Sequence, residues 1–429
     1  HRSVRDWYVA QHLAAGTSPN REAQQRSLLE ASSADPKEST SSPASIVRSP
    51  RMTPTQSPAT RIVIAGGGTG GHLFPGLALA EQLTKRGAQV HFVGTARGIE
   101  SKVVPQSGYP LDLIEVSGLK GQGALSTLRS VVKLPLAMIQ TLRLLRRLRP
   151  QVVVGVGGYA SGPVVLLAAL LQIPTVVLEQ NSVPGVTNRI LARFAKAVFT
   201  SFPHASHYFP LHKVALLGNP VRQSIADASS VPTERNGPVQ ILVLGGSLGA
   251  KAVNALIVDA ITELCHNTPP ALTPLTLHIQ LHHQTGQADL ESTQSRYAKL
   301  DGFGRSVHVE PFISNMAAAY RDCDLMIGRA GATTLAELTT IGRPAVLIPF
   351  PFAADDHQTH NARYLVENGA ARLLQQKDTT PQLLASVIAE LCQDRAILAA
   401  MASASQRLGR PDAAVRIADE ILKLAKSKR

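Results

Sequence analysis

Short apolar runs, separated by longer stretches with helical spacing, recur along most of the chain. In the first half the runs lie at 62–65, 90–93, 152–156, 175–178 and 197–200, and in the second half near 241–244, 277–281, 307–309, 325–327 and 345–348. Runs without polar alternation are typical of parallel strands buried on both faces. Because the runs alternate with helical segments, the pattern predicts an α/β fold with two Rossmann-like domains.

Polar, turn-rich segments divide the chain into these domains. We predict an N-terminal domain over 61–222, a linker over 223–237, a C-terminal domain over 238–411 and a final helix over 412–429. Residues 1–60 are rich in serine, threonine and proline and show no strand–helix pattern, so we expect a disordered leader. Met52, shortly before the first strand, is the expected natural start.

The first predicted strand runs into a glycine-rich loop, in the segment IVIAGGGTGGHLFP at 62–75. Glycines let a ligand approach the backbone, and the first N–H groups of the next helix favour an anion such as phosphate. The loop matches the dinucleotide fingerprint G-x-G-x-x-G at Gly66, Gly68 and Gly71. An NAD site also needs an acidic residue just after the second strand. Glu100 stands too far along, in the predicted next helix, so the loop predicts a phosphate site rather than an NAD site.

Two more glycine loops follow predicted strands, at 152–163 and 241–250. In open α/β sheets, ligands bind outside the carboxyl ends of the strands. All three loops therefore indicate one ligand site in a cleft between the two domains.

Composition narrows the possible partners. The net charge of +13 favours anionic partners: phosphorylated substrates, an anionic membrane surface or nucleic acid. Aromatic residues make up only 4% of the chain and the sequence has no zinc-finger spacing, so we expect no nucleic-acid partner. The three cysteines are far apart, which indicates a reducing compartment. No apolar run reaches the roughly 18 residues of a membrane-spanning helix.

Seven motifs, taken in order, resemble glycosyltransferase family 28, which includes bacterial enzymes of peptidoglycan synthesis. They are GGTGGH at 67–72, SGLKGQG at 117–123, GVGGYASGP at 155–163, EQNSVPGVTN at 179–188, GNPVR at 218–222, GGSLGA at 245–250 and a long segment that begins at Gly328. The resemblance covers about residues 61–429.

The resemblance implies a GT-B fold and a hexosyltransferase. The enzyme would move N-acetylglucosamine, with inversion, from UDP-N-acetylglucosamine (UDP-GlcNAc) to the C4 hydroxyl of the N-acetylmuramyl sugar in lipid I, an undecaprenyl-linked acceptor. The product would be lipid II for peptidoglycan, and so for cell shape and division. The resemblance also implies a peripheral protein on the cytoplasmic face of the bacterial plasma membrane, with no cofactor and no protein-held metal.

The family pattern also implies which residues bind the substrates. The first domain would contribute Thr69, Gly70, Gly71 and Asn181. The donor would contact Arg222, Ser247, Ile313, Ala332, Thr333, Thr334, Leu335, Ala336, Glu337, Gln358 and Asn361. Arginine suits a diphosphate because its planar fork makes charge-assisted bonds to phosphate oxygens. A carboxylate suits the donor hydroxyls of ribose, although Glu337 could also be a helix-surface residue.

Within this set, the backbone of Ile313 would read the uracil edge, and Asp355, Gln358 and Asn361 would face the sugar hydroxyls. His72 is the first candidate for the general base that takes a proton from the acceptor hydroxyl, because the imidazole pKa lies near neutrality. The alternatives for His72 are a helix-capping role or diphosphate binding. Glu179 is the second candidate, and a structural role is equally open for it.

Two acidic groups resemble metal sites. The D-x-D segment at 322–324 falls at a predicted helix end, where we expect a structural role. The acidic and histidine residues at 355–360 are explained at least as well by sugar contacts. Neither group requires a metal.

The segment 125–149 predicts a basic amphipathic helix. Its basic residues are Arg129, Lys133, Arg143, Arg146, Arg147 and Arg149, set among leucines, valines and isoleucines. Such a helix can lie on anionic lipid, and the alternative is a core-packed helix with a solvated basic face. The glycine-rich segment 119–125 would meet the lipid-linked acceptor.

Two other functions remain as alternatives. One is a GT-B enzyme with a diacylglycerol acceptor, and the other is a non-catalytic protein that binds a UDP-sugar at the membrane. The joint presence of His72, Glu337 and Gln358 favours an enzyme over a binding protein.

Overall fold

A computed structural model of the protein describes residues 59–116, 124–229, 237–246, 249–266, 279–300 and 303–427, with only the backbone for 124–134 and 305. Nearly all of the predicted leader, the motif at 117–123 and Ser247 lie outside these residues.

Two parallel sheets form the framework. The first holds β1 to β7, at Arg61–Gly66, Gln89–Gly94, Leu111–Leu113, Val152–Gly157, Thr175–Glu179, Ala197–Thr200 and Val214–Leu216. The second holds β8 to β13, at Val239–Leu244, Ile279–Gln284, Val307–Glu310, Leu325–Gly328, Ala345–Leu347 and Ala371–Leu373. The strand orders are 3-2-1-4-5-6-7 and 10-9-8-11-12-13. In each sheet, the order in which the chain adds strands reverses beside the first strand, β1 or β8. Ligands bind at such reversal points.

The helices flank the sheets. In the first half and at the domain connection they are α1 to α6, at Gly70–Lys85, Glu100–Gln106, Ala124–Leu148, Ser161–Leu170, Val186–Leu191 and Gln223–Ala228. In the second half they are α7 to α14, at Lys251–His266, Leu290–Tyr297, Met316–Asp322, Ala332–Ile341, His357–Glu367, Pro381–Gln393, Arg395–Leu408 and Ala413–Lys426. Short 3₁₀ turns lie at Pro203–Tyr208, Leu211–Lys213, Gln287–Asp289, Phe303–Ser306 and Ala354–Asp356.

The segment predicted as a linker does not begin as coil. Residues 223–228 form α6, and Ile225 is fully buried in the core cluster on one face of the second sheet. Burial of one isoleucine side chain contributes about 1.5–3 kcal/mol to the packing of this short helix. The described part of the predicted linker is therefore packed structure.

The final helix returns to the first domain. Ile417 and Ile421 of α14 are fully buried in the same cluster as Leu79 and Leu83 of α1. The chain thus crosses between the domains twice, once near α6 and once before α14. The carboxyl edges of the two sheets lie on either side of one cleft.

Candidate active site

A buried carboxylate holds the glycine loop between β1 and α1. Glu100, the first residue of α2, is 1% exposed and accepts hydrogen bonds from the amide of Gly68 (2.7 Å) and from the amide and hydroxyl of Thr95 (2.9 Å each). A Cβ on Gly67 would lie 2.4 Å from this carboxyl group, so only glycine permits the approach. The amide of Gly68 is thus taken by an internal anion. Of the N–H groups predicted to bind phosphate, those at the N-terminus of α1 remain, because the amide of Gly68 in the loop before it already bonds to Glu100.

That N-terminus carries His72. Thr69 is the N-cap of α1, and its carbonyl accepts hydrogen bonds from the amides of His72 (3.3 Å) and Leu73 (3.1 Å). Thr69 and Gly71 are exposed, and Gly70 is buried. The first turn holds no acidic residue, so the positive end of the helix dipole is not offset there by a side chain of the helix itself.

Gln180 orients the imidazole of His72. The Oε1 atom of Gln180 lies 3.1 Å from His72 Nδ1, while Gln180 Nε2 donates to the carbonyl of Val156 (3.1 Å). Because the amide nitrogen is committed to Val156, Oε1 faces the ring and accepts a hydrogen bond from Nδ1–H. The Nε2 atom of His72 therefore carries the lone pair. Burial lowers the pKa of His72, against the Gln180 hydrogen bond that raises it, so the ring is neutral near pH 7 and can accept a proton.

Glu179, the other candidate base, ends β5 and is 2% exposed. Its Oε1 accepts a hydrogen bond from the amide of Asn181 (3.0 Å), and its Oε2 accepts one from Asn188 Nδ2 (2.9 Å). Burial raises the pKa of Glu179 to about 7, although the bonds from Asn181 and Asn188 act in the opposite direction. Glu179 thus titrates near neutrality, and it also fixes the loop that carries Gln180.

Helix α10 brings the second domain to the same place. The hydroxyl of Thr333, in its first turn, donates to the carbonyl of Gly71 in the first domain (3.2 Å). Around this turn Thr333, Thr334 and Ala336 are partly exposed, whereas Ala332 and Leu335 are buried. The N-termini of α1 and α10 therefore meet across the cleft. Two positive dipole ends at one point favour a multiply charged anion such as a diphosphate.

Arg222 and Glu337 form an ion pair beside this meeting point. The Nε and Nη2 atoms of Arg222 donate to Glu337 Oε1 at 3.1 and 2.9 Å, and the guanidinium lies 5.9 Å from the ring centre of Phe74 in α1. The side chains are 19% and 7% exposed. If Arg222 contacts the diphosphate and Glu337 contacts the ribose, as predicted, each side chain must make that contact while it also keeps the ion pair. In this arrangement the pair joins the start of α6 to α10.

Asn361 joins the two domains. Its Oδ1 accepts a hydrogen bond from the amide of Ser182 (2.8 Å), and its Nδ2 donates to Asn181 Oδ1 (3.2 Å) and to the carbonyl of Ala330 (3.2 Å). The residue is fully buried. The side chain predicted to face the donor sugar is therefore committed to the domain interface in this arrangement.

The remaining predicted donor contacts line the second-domain side. Gln358 is half-buried, and its Oε1 accepts a hydrogen bond from the amide of Phe350 (3.0 Å). Ile313 is buried beyond the carboxyl end of β10. Asp355 and Asp356 have φ values of 52° and 49°, in the left-handed region. Non-glycine residues held there cost roughly 1–3 kcal/mol each, and such strain clusters at ligand sites.

The D-x-D segment lies elsewhere, at the amino end of β11 and so at the sheet edge opposite the cleft. Asp322 accepts a hydrogen bond from Arg321 Nε (3.1 Å), and Asp324 accepts one from the amide of Gln240 (2.9 Å). These bonds tie a helix end to the start of a strand, which is a structural role.

The predicted basic helix is α3, which packs on α4. Arg143, Arg146, Arg147 and Arg149 are all exposed at its C-terminal end, and Arg147 Nη2 donates to a carboxylate oxygen of Asp112 (2.5 Å). The side chains of Arg129 and Lys133 lie outside the described residues.

The same helix has a buried side and an apolar exposed side. Leu144 and Leu145 are buried in the first-domain core, whereas Leu136 and Ile139 are 44% and 47% exposed. Within the described part of the chain, no helix combines the length and the apolar character needed to cross a membrane.

Three residues of the site were missed from the sequence. Gln180 and Asn188 lie inside the recognised motif at 179–188, so their position there was the only available signal. Glu100 was considered only as the ribose-binding acid of an NAD site, and its contact with the glycine loop, which the fold creates, was not predicted.

Comparison with known proteins identifies the family. Residues 62–200 match the glycosyltransferase family 28 N-terminal domain, and residues 240–417 match the family 28 C-terminal domain. A protein of Anaeromyxobacter dehalogenans (strain 2CP-1) is 48% identical over 368 residues, which cover 85% of this chain and 93% of the relative. A protein of Myxococcus xanthus is 48% identical over 364 residues, which cover 84% and 91%. Both are named UDP-N-acetylglucosamine–N-acetylmuramyl-(pentapeptide) pyrophosphoryl-undecaprenol N-acetylglucosamine transferase.

A solved structure agrees with these relatives. The crystal structure of Acinetobacter baumannii MurG is 35% identical and has a TM-score of 0.68, covering 85% of this chain and 99% of that one. The two parallel sheets with alternating helices form the GT-B fold that was predicted. The two domain matches together cover both sides of the cleft, and each of the two sequence relatives aligns with most of the chain. On this evidence the chain belongs to glycosyltransferase family 28.

Proposed function

We propose that this protein transfers N-acetylglucosamine from UDP-GlcNAc to the C4 hydroxyl of the N-acetylmuramyl sugar in lipid I, with inversion, and so forms lipid II for peptidoglycan. The names of the close relatives support the donor and the acceptor. The observation that carries the proposal is the meeting of the α1 and α10 N-termini next to His72. The two helix N-termini can stabilise a negatively charged leaving group, and His72 beside them can accept a proton.

In the reaction, the acceptor oxygen attacks the anomeric carbon of the donor sugar. The bond between that carbon and the diphosphate oxygen breaks, and UDP leaves with the electron pair. The proton of the attacking hydroxyl passes to His72 Nε2, the nitrogen that Gln180 leaves unprotonated. The charge that develops on the diphosphate is stabilised by the two helix N-termini and by Arg222, without a protein-held metal.

The remaining donor contacts follow from the positions of the partly exposed groups. Thr333, Thr334 and the backbone of the first turn of α10 contact the diphosphate, while Gln358 contacts the sugar. Glu337 binds ribose hydroxyls with the carboxylate that also holds Arg222. Ser247 and the backbone of Ile313 complete the nucleotide site in the proposal.

We further propose that the protein lies on the cytoplasmic face of the bacterial plasma membrane, where its lipid-linked acceptor is found. The exposed arginines of α3, with Leu136 and Ile139 on the same helix, provide a basic and apolar surface for this.

The test is a transfer assay with labelled UDP-GlcNAc and a lipid I analogue. We expect a labelled disaccharide-lipid and release of UDP in equal amounts. Substituting diacylglycerol for the lipid I analogue tests the first alternative function, because a glycolipid product with that acceptor alone would replace our proposal. Donor binding by calorimetry with no product on either acceptor would indicate the non-catalytic alternative.

A further inference from the structure

A cluster of two histidines and a glutamate lies on the second domain, on the neighbouring strands β9 and β10. Among the described residues, His282, His308 and Glu310 place their nitrogen and oxygen atoms all within 4.8 Å of one another. His282 Nε2 is 2.6 Å from Glu310 Oε1, and His308 Nε2 is 3.7 Å from the same oxygen. No step of the proposed transfer uses these side chains.

Strand pairing creates this cluster. His282 on β9 and His308 on β10 are direct neighbours in the parallel register, and Glu310 follows two residues later on the same face. Their side chains are 31%, 70% and 28% exposed, so an ion can enter from solvent. His283 points to the other face, where its ring contacts Tyr297 and Asn254 and burial lowers its pKa to about 3.

We propose that His282, His308 and Glu310 form a zinc site, with water as the fourth ligand. Two imidazoles and one carboxylate are a known ligand set for Zn²⁺, whereas Mg²⁺ and Ca²⁺ prefer oxygen alone. Zinc–ligand bonds of about 2.0–2.2 Å place tetrahedral ligand atoms about 3.4 Å apart. The distance of 3.7 Å between His308 Nε2 and Glu310 Oε1 already fits this geometry. The distance of 2.6 Å between His282 Nε2 and Glu310 Oε1 needs to increase by less than 1 Å.

The bound ion would join the edge strand β10 to β9. The backbone there is already tied, since the carbonyl of Glu310 accepts a hydrogen bond from the amide of Thr285 (3.1 Å). Three ligands on two paired strands lose little freedom on binding. The site is thus a structural clamp between the edge strand β10 and its neighbour β9.

The test uses the full chain, stripped of metal with a chelator and then titrated with Zn²⁺ in competition with a colorimetric chelator. We expect the wild-type chain to bind one equivalent of Zn²⁺. His308→Gln and Glu310→Gln should each lower the affinity for Zn²⁺ at least tenfold. His266→Gln, at an exposed histidine on α7 of the same domain, serves as the matched control and should leave binding unchanged. Co²⁺ should give the visible absorption of tetrahedral coordination in the wild type and the control, and lose it in both cluster variants.

Circular dichroism melting without metal shows whether the variants remain folded, which we expect because the three side chains are partly exposed. Two results would overturn the proposal. One is no binding of Zn²⁺ by the folded wild-type chain, in which case the cluster is only an ion pair. The other is binding that is equal in the wild type and both cluster variants, in which case the ion lies elsewhere.

Discussion

At the scale of single residues, two ionisable groups compete for the role of general base. His72 has an imidazole whose orientation is set by Gln180, and Glu179 has a carboxyl group whose pKa burial raises to about 7. Both oxygens of Glu179 accept hydrogen bonds, from Asn181 in the loop after it and from Asn188 in α5, whereas Nε2 of His72 carries a lone pair. The geometry therefore favours His72 as the base and Glu179 as a group that positions the loop.

The pH dependence of kcat/KM distinguishes the two bases. A base works only when unprotonated, so activity falls as the pH drops through its pKa. Burial lowers the pKa of His72, so His72 as base predicts an acidic limb with an inflection below pH 6.5. Glu179 as base predicts an inflection near pH 7.

The variant His72→Gln sharpens this test. It should lower kcat by about 10²–10⁴, remove the acidic limb and leave donor affinity nearly intact. A profile with an inflection near pH 7 that persists in His72→Gln would assign the base to Glu179. A collapse of donor affinity would make His72 a binding residue.

At the residue scale, the sequence predicts candidate residues that the structure brings together, but it does not predict the bonds among them. His72, Glu179 and Asn181 were predicted from their chemistry and from their motif positions, and they lie next to one another in the fold. Gln180 was missed because its role depends on a carbonyl of Val156, a backbone group that has no sequence signature. Asn361 was recognised, but its pairing with Asn181 depends on how the two domains approach each other.

At the scale of elements, the predicted strands are present in both sheets, and three strands at sheet edges were missed. β3, β7 and β13 have three residues each, and most of these residues are only partly buried or exposed. β12 is equally short, but it lies inside its sheet, is fully buried and was predicted. The run predicted near 277–281 is β9 at Ile279–Gln284, where two histidines and two glutamines interrupt the apolar pattern. Helix α6 was missed because Ile225 is its one buried residue, too little to show an apolar face.

Helix α3 carries a prediction about the membrane. Changing Arg143, Arg146, Arg147 and Arg149 to glutamine should reduce binding to anionic vesicles at least tenfold, because each basic residue near the surface contributes about 1 kcal/mol. Added salt should weaken wild-type binding, since charges are screened over about 8–10 Å at physiological ionic strength. The measurement is vesicle co-sedimentation at two salt concentrations.

A matched variant removes the same charge from the other domain. Lys251, Lys299, Lys377 and Arg407 are exposed there, and their replacement by glutamine should leave vesicle binding nearly unchanged. Transfer to a short-chain, water-soluble acceptor should survive in both variants. If the two variants lose binding equally, net charge rather than this helix governs attachment.

At the scale of the whole molecule, a few hydrogen bonds hold the domains in this arrangement. Asn361 contributes two of them, to Ser182 and Asn181, and Thr333 contributes one to Gly71. The bond from Asn361 to the carbonyl of Ala330 lies within the second domain. Asn361→Ala would leave the amide of Ser182 without its buried acceptor, at a cost of about 1–3 kcal/mol. We expect a more open cleft, seen as a larger radius of gyration in small-angle scattering, and a higher KM for the donor.

Asn368→Ala is the control, since this residue is exposed at the end of the same helix and bonds only within that helix in the contacts described. Its scattering curve should match the wild type. An unchanged radius and KM in Asn361→Ala would mean that the double chain crossing alone fixes the domain arrangement.

The ribosome makes the first domain early, but the helix that completes its core is made last. Ile417 and Ile421 cover Leu79 and Leu83 only when α14 has emerged, about 210 residues after β7. At about 5–20 residues per second, this interval lasts roughly 10–40 s. During that time the nascent first domain exposes an apolar groove on α1 and offers it to chaperones or to other chains. The time needed to translate the second domain therefore sets how long the first must remain incomplete.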